Sequence, residues 1–366
     1  MYLREFRIHD IKCFEDVHLH FPHDGDDHSG WIVLLGGNGM GKSTLLQAMA
    51  IALMGSLGGQ RLLLDPDGWV RKGRTCGEFS ATIVRGRNDK SMNGSSKKNY
   101  NPKFAITGRE QVTLGGILYD QPQLVQLADD RTRNDLMNGP YAARKLGWYC
   151  CGYGPFRRMF GGSEEAFRLM NPNNRESRFV TLFREDAALL YLKDDLPSLY
   201  RRSIDQNDPN HILAGELLEY VWKLIDGLLP GGVRISRVDT ENVYFRVVGG
   251  AEVRSLDLSD GYRCFLALAF DIIYRWTGCY ENPDSFLVQD GDSRRLSFEG
   301  VILIDEVDAH LHPFWQREIG FRLRKTFPRV QFIVTSHSPF VAQAASDGGL
   351  VVLRSTGPQG AVEAQL

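Results

Sequence analysis

The chain has 366 residues, 43% of them hydrophobic and 24% charged, and a net charge of −2. That length suits one large α/β domain with insertions or a few modest domains, and the composition is ordinary for a globular protein. The near balance of charge gives no global pull towards nucleic acid or an anionic membrane, so any such contact has to be a local patch.

The N-terminal "MYLREFRIHDIKCF" lacks the apolar run of a signal peptide, and no later run reaches transmembrane length. Cys13, Cys76, Cys150, Cys151, Cys264 and Cys279 show no C-x-x-C metal spacing and read as reduced thiols. A soluble, cytoplasmic protein is the expectation.

In chain order, "YLREFRIHDI" and "EDVHLHF" alternate in polarity as half-buried strands do, and "WIVLL" is an apolar run suited to a buried strand. Between them "PHDGDDHSG" reads as a solvated turn. His20, His23, Asp24, Asp26, Asp27 and His28 there are metal-capable, but no ligand spacing is diagnostic. After a helix at 42–54, "EFSATIVRG" and "QVTLGGILYD" read as strands flanking "RNDKSMNGSSKKNYNPK", a polar stretch expected to be a mobile excursion. "LGWYCCGYG" is another strand.

From residue 155 to 230 the pattern turns helical, clearest in "SEEAFRLM", "EDAALLYLKDDL" and "HILAGELLEYVWKLIDGLL". "VRISRVD" and "NVYFRVV" pair as a hairpin. "GYRCFLALAFDIIYRW" is helical, "GVILIDE" a buried strand, "PFWQREIGFRLRKTF" an amphipathic helix and "VQFIVTS" a further buried strand. Trp315, Ile319, Leu323 and Phe327 recur at i, i+4 and face the core. Such alternation implies a mainly parallel sheet covered by helices. No internal repeat and no sustained heptad occurs.

"GGNGMGKST", Gly36 to Thr44, fits the phosphate-binding pattern Gly36-x-x-x-x-Gly41-Lys42-Ser43, with a buried strand before it and a helix after. Its glycines let backbone N–H groups turn towards phosphates, and the helix N-terminus adds its positive end. Lys42 would reach the β and γ phosphates and the Ser43 hydroxyl would bind Mg²⁺. "VILIDE", Val301 to Glu306, is an apolar strand running into two carboxylates. Asp305 would stand beside the water shell of Mg²⁺, and Glu306 would polarise an attacking water.

Together with these two motifs, "LDLSDGYRCFLALAF", "LIDEVDAHLHP" and "FIVTSHSPF" follow one another in a familiar order. The chain resembles the ABC-type ATPases of the SMC/RecF/OLD group, in their standalone bacterial branch. The resemblance implies an α/β P-loop NTPase fold of ABC type: a mainly parallel sheet, an antiparallel β lobe and an inserted helical lobe. It implies an N-terminal ATPase lobe at 1–150, a helical insertion at 151–232 and a C-terminal ATPase lobe at 233–366. About thirty residues follow the His337 segment, so no TOPRIM domain is expected.

The same resemblance implies that ATP with Mg²⁺ lies on Gly36, Gly37, Asn38, Gly39, Met40, Gly41, Lys42, Ser43 and Thr44. Ser259 and Gly261 would contact the γ-phosphate bound to a second copy, giving a head-to-tail dimer. His337 would sense that phosphate, and Lys12 is a further phosphate contact. "GYGPFR", Gly152 to Arg157, stands where a Q-loop equivalent joins the core to the helical lobe. Three residues depart from the family pattern: Asp260 at a signature glycine, Tyr262 at the usual Gln or Glu, and His312 at the D-loop Asp.

The resemblance, with these residues, implies one of three functions. One is a slowly hydrolysing, dimerising ATPase that controls an effector from a neighbouring gene in anti-phage defence. Another is a RecF-like clamp on DNA, with basic pairs at Arg131 and Arg133, Arg144 and Lys145, Arg157 and Arg158, and Arg201 and Arg202. The last is a nucleotide-locked scaffold whose hydrolysis is incidental. No membrane partner is expected.

Overall fold

The computed structural model describes the chain except residues 143–144, 160, 171–173, 190, 282, 291–292, 358–360 and 366. The N-terminal part carries β1 (Tyr2–Ile11), β2 (Phe14–His20) and β3 (Gly30–Leu35), then α1 (Lys42–Met54) and α2 (Ser56–Leu62). There follow β4 (Cys76–Val84), β5 (Asn99–Tyr100), β6 (Lys103–Thr107), β7 (Val112–Leu114), β8 (Ile117–Tyr119), β9 (Leu124–Gln126) and α3 (Asp130–Asn138). The middle holds β10 (Tyr149–Tyr153), α4 (Glu164–Leu169), α5 (Val180–Phe183), α6 (Tyr191–Ile204) and α7 (His211–Leu228). β11 (Arg234–Val238), β12 (Val243–Arg246) and β13 (Glu252–Arg254) lead into α8 (Asp260–Thr277). The chain continues with β14 (Leu287–Asp290), β15 (Ser293–Leu296), β16 (Gly300–Ile304) and α9 (Pro313–Thr326), then β17 (Val330–Ser336), α10 (Pro339–Ala342), β18 (Leu350–Ser355) and β19 (Val362–Gln365).

Two sheets organise these elements. The first is antiparallel, in the order β2-β1-β4-β6-β9 with β5 on β4. The second runs β10-β16-β17-β3-β18-β19 and is parallel except for its last pair. Its strands come from both ends of the chain, because β3 slots between β17 and β18. The fold is thus an α/β P-loop architecture, mainly parallel, with an antiparallel β lobe and a helical insertion where α6 and α7 pack on each other.

α1 sits between the sheets, packed on β4 on one side and on β10, β16 and β17 on the other. That explains its sequence: a helix covered nearly all round keeps no polar face, and "LLQAMAIALM" is apolar but for Gln47, whose amide donates to the Leu182 carbonyl at 3.0 Å. α9 is the opposite case. Trp315, Ile319, Leu323 and Phe327 are buried at the predicted i, i+4 spacing, while its outer faces carry charged side chains together with the exposed Phe314 and Phe321.

Several elements differ from the sequence reading. "QVTLGGILYD" is no strand of the main sheet but a small separate hairpin, β7–β8, and β6 takes the flanking place. The stretch 87–103, read as a mobile excursion, is anchored: Asp89 is buried, pairs with the Met1 amino group at 2.6 Å and accepts from the Gly86 and Trp148 N–H groups. A carboxylate whose partners lie at the chain start and beyond residue 140 looks solvated in sequence. The short pairs β14–β15 and β18–β19, and the third strand β13, carry no strong alternation and were not anticipated.

Candidate functional site

In the parallel sheet Leu35 of β3 lies opposite Ser336 of β17, and Val334 of β17 lies opposite Ile304 of β16. Gly36, Asp305 and His337, each following one of these strands, therefore emerge along one carboxyl edge. Open α/β sheets bind their ligands at that edge.

The loop from β3 to α1 turns on Gly39 and Gly41, at φ 77° and 76°, where a side chain would be strained. Gly41 has a second reason to be glycine: an added Cβ would lie 2.6 Å from Cys13 Sγ and 2.5 Å from the Phe14 ring. The turn between β1 and β2 thus presses directly on the loop. Lys42 is buried and donates from Nζ to the carbonyls of Gly36 at 2.8 Å and Gly37 at 2.9 Å. Burial pulls its pKa down, against the raising pull of Asp305, Glu306 and Asp308. Gly37, Asn38, Gly39 and Ser43 are exposed, Met40 is half-buried, and Thr44 turns into the core. α1 starts with no side-chain cap, which leaves its first N–H groups for an anion.

Beyond β16 the two acidic residues are held by a network that sequence reading missed. Thr335 donates its hydroxyl to Asp305 Oδ1 and accepts from the Glu306 N–H at 2.7 Å. Arg157, read as a surface basic residue or a lobe junction, is 2% exposed. Its guanidinium donates to the carbonyls of Gly154 and Asp305 at 2.9 Å and of Glu306 at 3.2 Å. These bonds hold Glu306 at φ 43°, an uncommon conformation for a residue with a side chain. Asp308 adds a third carboxylate, with a buried Oδ1 that has no hydrogen-bond partner among the described residues. A buried Arg after a "GYGP" turn could have been suspected; the partners of Thr335 could not.

Ser259 occupies the N-cap position of α8, yet its side chain makes no capping bond and is exposed. Gly261 has no room for a side chain, since a Cβ would sit 2.6 Å from the His310 carbonyl oxygen. The start of α8 therefore packs on the loop that follows the acidic pair. Two of the family departures have structural reasons here. The Tyr262 ring meets Trp315 edge-on at 4.4 Å, and His312 Nδ1 caps α9 by accepting from the Phe314 N–H at 3.3 Å, ahead of Pro313.

His337 is exposed at the end of β17. The Lys12 Nζ lies 4.8 Å from the Trp69 ring centroid, and burial lowers its pKa. Of the basic pairs, Arg133 meets Asp130, Arg202 meets Asp208, Arg201 donates to the Thr240 carbonyl, and Arg144 lies outside the described residues. The exposed Ser43 hydroxyl on the first turn of α1 and the Asp305 carboxylate are hard oxygen donors of the kind Mg²⁺ takes, so the residues present fit that ion. No described helix is long and apolar enough to cross a membrane.

A family model described as "AAA domain, putative AbiEii toxin, Type IV TA system" matches residues 157–342, and a second, "AAA domain", matches residues 5–114. The chain is similar to the Septu protein PtuA of Bacillus mycoides (strain KBAB4): 28% identical over 354 residues, covering 96% of this chain and 40% of that protein. It is also similar to the Retron Ec83 probable ATPase of Escherichia coli: 42% identical over 195 residues, covering 51% of this chain and 31% of that protein. The chain thus spans less than half the length of either curated relative. Among solved structures, the SmcHead bound to the C-winged helix domain of ScpA superposes with a TM-score of 0.56 at 14% identity, covering 100% of this chain and 98% of that one. That likeness concerns the fold alone.

Proposed function

This chain belongs to the AAA-domain family of ATPases, and on that premise we propose that it is a slowly hydrolysing ATPase that dimerises head-to-tail and controls a partner effector in bacterial anti-phage defence. The observation that carries the reading is the meeting of the Gly36–Thr44 loop, the Asp305–Glu306 pair and His337 at one carboxyl edge.

In this reading the loop amides and the N-terminus of α1 hold the β and γ phosphates of ATP. Lys42 exchanges its bonds to the Gly36 and Gly37 carbonyls for bonds to phosphate oxygens, spreading the charge that develops. Ser43 directly, and Asp305 through water, would hold Mg²⁺, which when bound neutralises charge on the β and γ phosphates. Glu306 orients and polarises a water in line with the γ-phosphorus. The new P–O bond forms as the bridging bond to ADP breaks, and the water proton passes to Glu306. His337 orients the γ-phosphate.

Ser259 supports the dimer: an exposed hydroxyl at an uncapped helix start is free to meet a phosphate carried by a second copy. Asp260 supports slow turnover, because it sets a carboxylate, paired with Arg263, where the resembling signature carries a glycine. The resembling standalone branch and the Septu and retron relatives support the defence setting.

Phosphate release and molecular mass, each with and without ATP, test the proposal on Glu306→Gln. The variant should keep ATP binding, lose on the order of 10²-fold in hydrolysis and accumulate as an ATP-bound dimer. A variant that stays monomeric at saturating ATP defeats the head-to-tail reading. Co-purification with the neighbouring gene product tests the effector, and DNA affinity that falls steeply with salt would favour the clamp instead.

A further inference from the structure

The end of β2 and the turn after it carry a run of metal-capable residues, and of these the structure gives suitable company to His20, the last residue of β2. His20 stands directly opposite Glu5 of β1, and His18 lies two residues back on the same outward face of β2. The two imidazole centroids are 4.1 Å apart, and His18 Nε2 is 3.8 Å from Glu5 Oε2. One donor atom from each of the three residues lies within 4.8 Å of the other two. Among the described residues, no other three His, Cys, Asp or Glu side chains form such a group.

Asp24, Asp27, His23 and His28 are otherwise engaged, and Asp26 is exposed beside Lys98. Asp24 and Asp27 close the turn through reciprocal backbone bonds of 2.8 and 2.9 Å. The His28 ring is buried against Tyr2 and His23, and burial brings its pKa down to about 4.

Two imidazoles and a carboxylate are the donor set of zinc sites that keep a fourth position open. Tetrahedral donors about 2.1 Å from a zinc ion lie roughly 3.4 Å from one another, so side-chain rotation alone can draw these three together. The backbone beneath them is well held, because β1 is bonded to β2 on one side and β4 on the other. Nearby cations leave the centre accessible. Arg7 is drawn along the ladder by two bonds to Asp16, at 3.0 and 2.7 Å, and Arg4 sits 3.5 Å from Oε1 of Glu5, the oxygen that does not face His18.

We infer that Glu5, His18 and His20 form a surface site for Zn²⁺ that staples β1 to β2 and leaves one coordination position for water or a donor from another molecule. The staple sits on the hairpin whose turn presses Cys13 and Phe14 against Gly41, so the ion stiffens the element that backs the phosphate loop.

Metal-stripped full-length protein, titrated with Co²⁺ and then with Zn²⁺, tests this site without nucleotide. The expected result is one Co²⁺ per chain at micromolar affinity. Its visible bands should be those of nitrogen and oxygen ligation, without a thiolate charge-transfer band, and Zn²⁺ should displace the ion. His18→Asn and His20→Asn should each weaken binding at least tenfold and Glu5→Gln several-fold, whereas His23→Asn should leave it unchanged. All four side chains face solvent, and a melting curve of each variant checks that it folds. Zn²⁺ should also slow amide exchange in β1 and β2 of the wild type but not of the His18→Asn/His20→Asn double variant. Absence of saturable binding, a thiolate band, or affinity undiminished in the double variant overturns the assignment.

Discussion

β16 and β17 of the parallel sheet are buried on both faces, residue after residue, whereas in the antiparallel sheet β4 buries every second side chain and β2 does so from Val17 on. A strand covered on both faces has nowhere along its length to display a reactive group. Its chemistry has to begin where the strand stops, which is where Gly36, Asp305 and His337 lie. A strand covered on one face can display side chains along its length, but a useful group there needs a neighbour from the next strand. Glu5, His18 and His20 are such a group. The first arrangement writes its residues next to apolar runs; the second scatters them across a register.

Lys42→Ala should separate the two sheets most sharply. ATP binding and hydrolysis should fall by more than about 10²-fold, measured by nucleotide titration and phosphate release, while Co²⁺ binding at the β1–β2 face stays intact. Joint loss of both would mean that the sheets do not act as independent platforms.

Arg157→Met comes next. It removes a buried guanidinium from three carbonyls at the end of the parallel sheet, and should cost about 3 kcal/mol of stability in urea unfolding. An unchanged midpoint would show that the Asp305–Glu306 backbone does not depend on this clamp.

Thr335→Val keeps the shape of β17 but strips the hydroxyl shared by Asp305 and the Glu306 N–H. A cost of roughly 1–3 kcal/mol should appear mainly as hydrolysis slowed about tenfold, with ATP affinity changed less. Equal losses in both would mean that the threonine serves folding rather than the acidic pair.

The smallest effect belongs to the antiparallel side. His28 has its pKa lowered by burial to about 4, against an ordinary value near 6.5. The folded state therefore resists a proton that the unfolded chain accepts. Above pH ~6.5 this has no effect; stability falls as pH drops from there towards 4 and then levels off. Urea midpoints at pH 7.5 and 5.0 should fall further apart in wild type than in His28→Phe. Equal shifts in the two proteins would remove His28 as the source.

Much of the parallel sheet was legible because its signals are local. "WIVLL" before "GGNGMGKST", "VILI" before "DE" and "VQFIVTS" before "H" each place a buried strand and its terminal residue in one short window. Pairings with distant partners were not legible. Asp89 looked solvated until Met1 and Trp148 met it, and Arg157 looked like a surface charge until it closed on the Asp305 and Glu306 carbonyls. The contact of the Lys12 ammonium with the Trp69 ring joins residues distant in the sequence, and no local spacing announces it.

By itself, then, the sequence determined the ATPase class, the glycine loop after β3, the acidic pair after β16 and the alternation that makes a covered parallel sheet, since each rests on neighbours within a few residues. The tertiary structure decided what backs those residues: Cys13 and Phe14 against Gly41, Thr335 under Asp305 and Glu306, His310 against Gly261. It also decided that His20 keeps company with His18 and Glu5 rather than with the acidic turn beside it. Register and packing join residues far apart in the chain, and no local spacing records which strand will lie next to which.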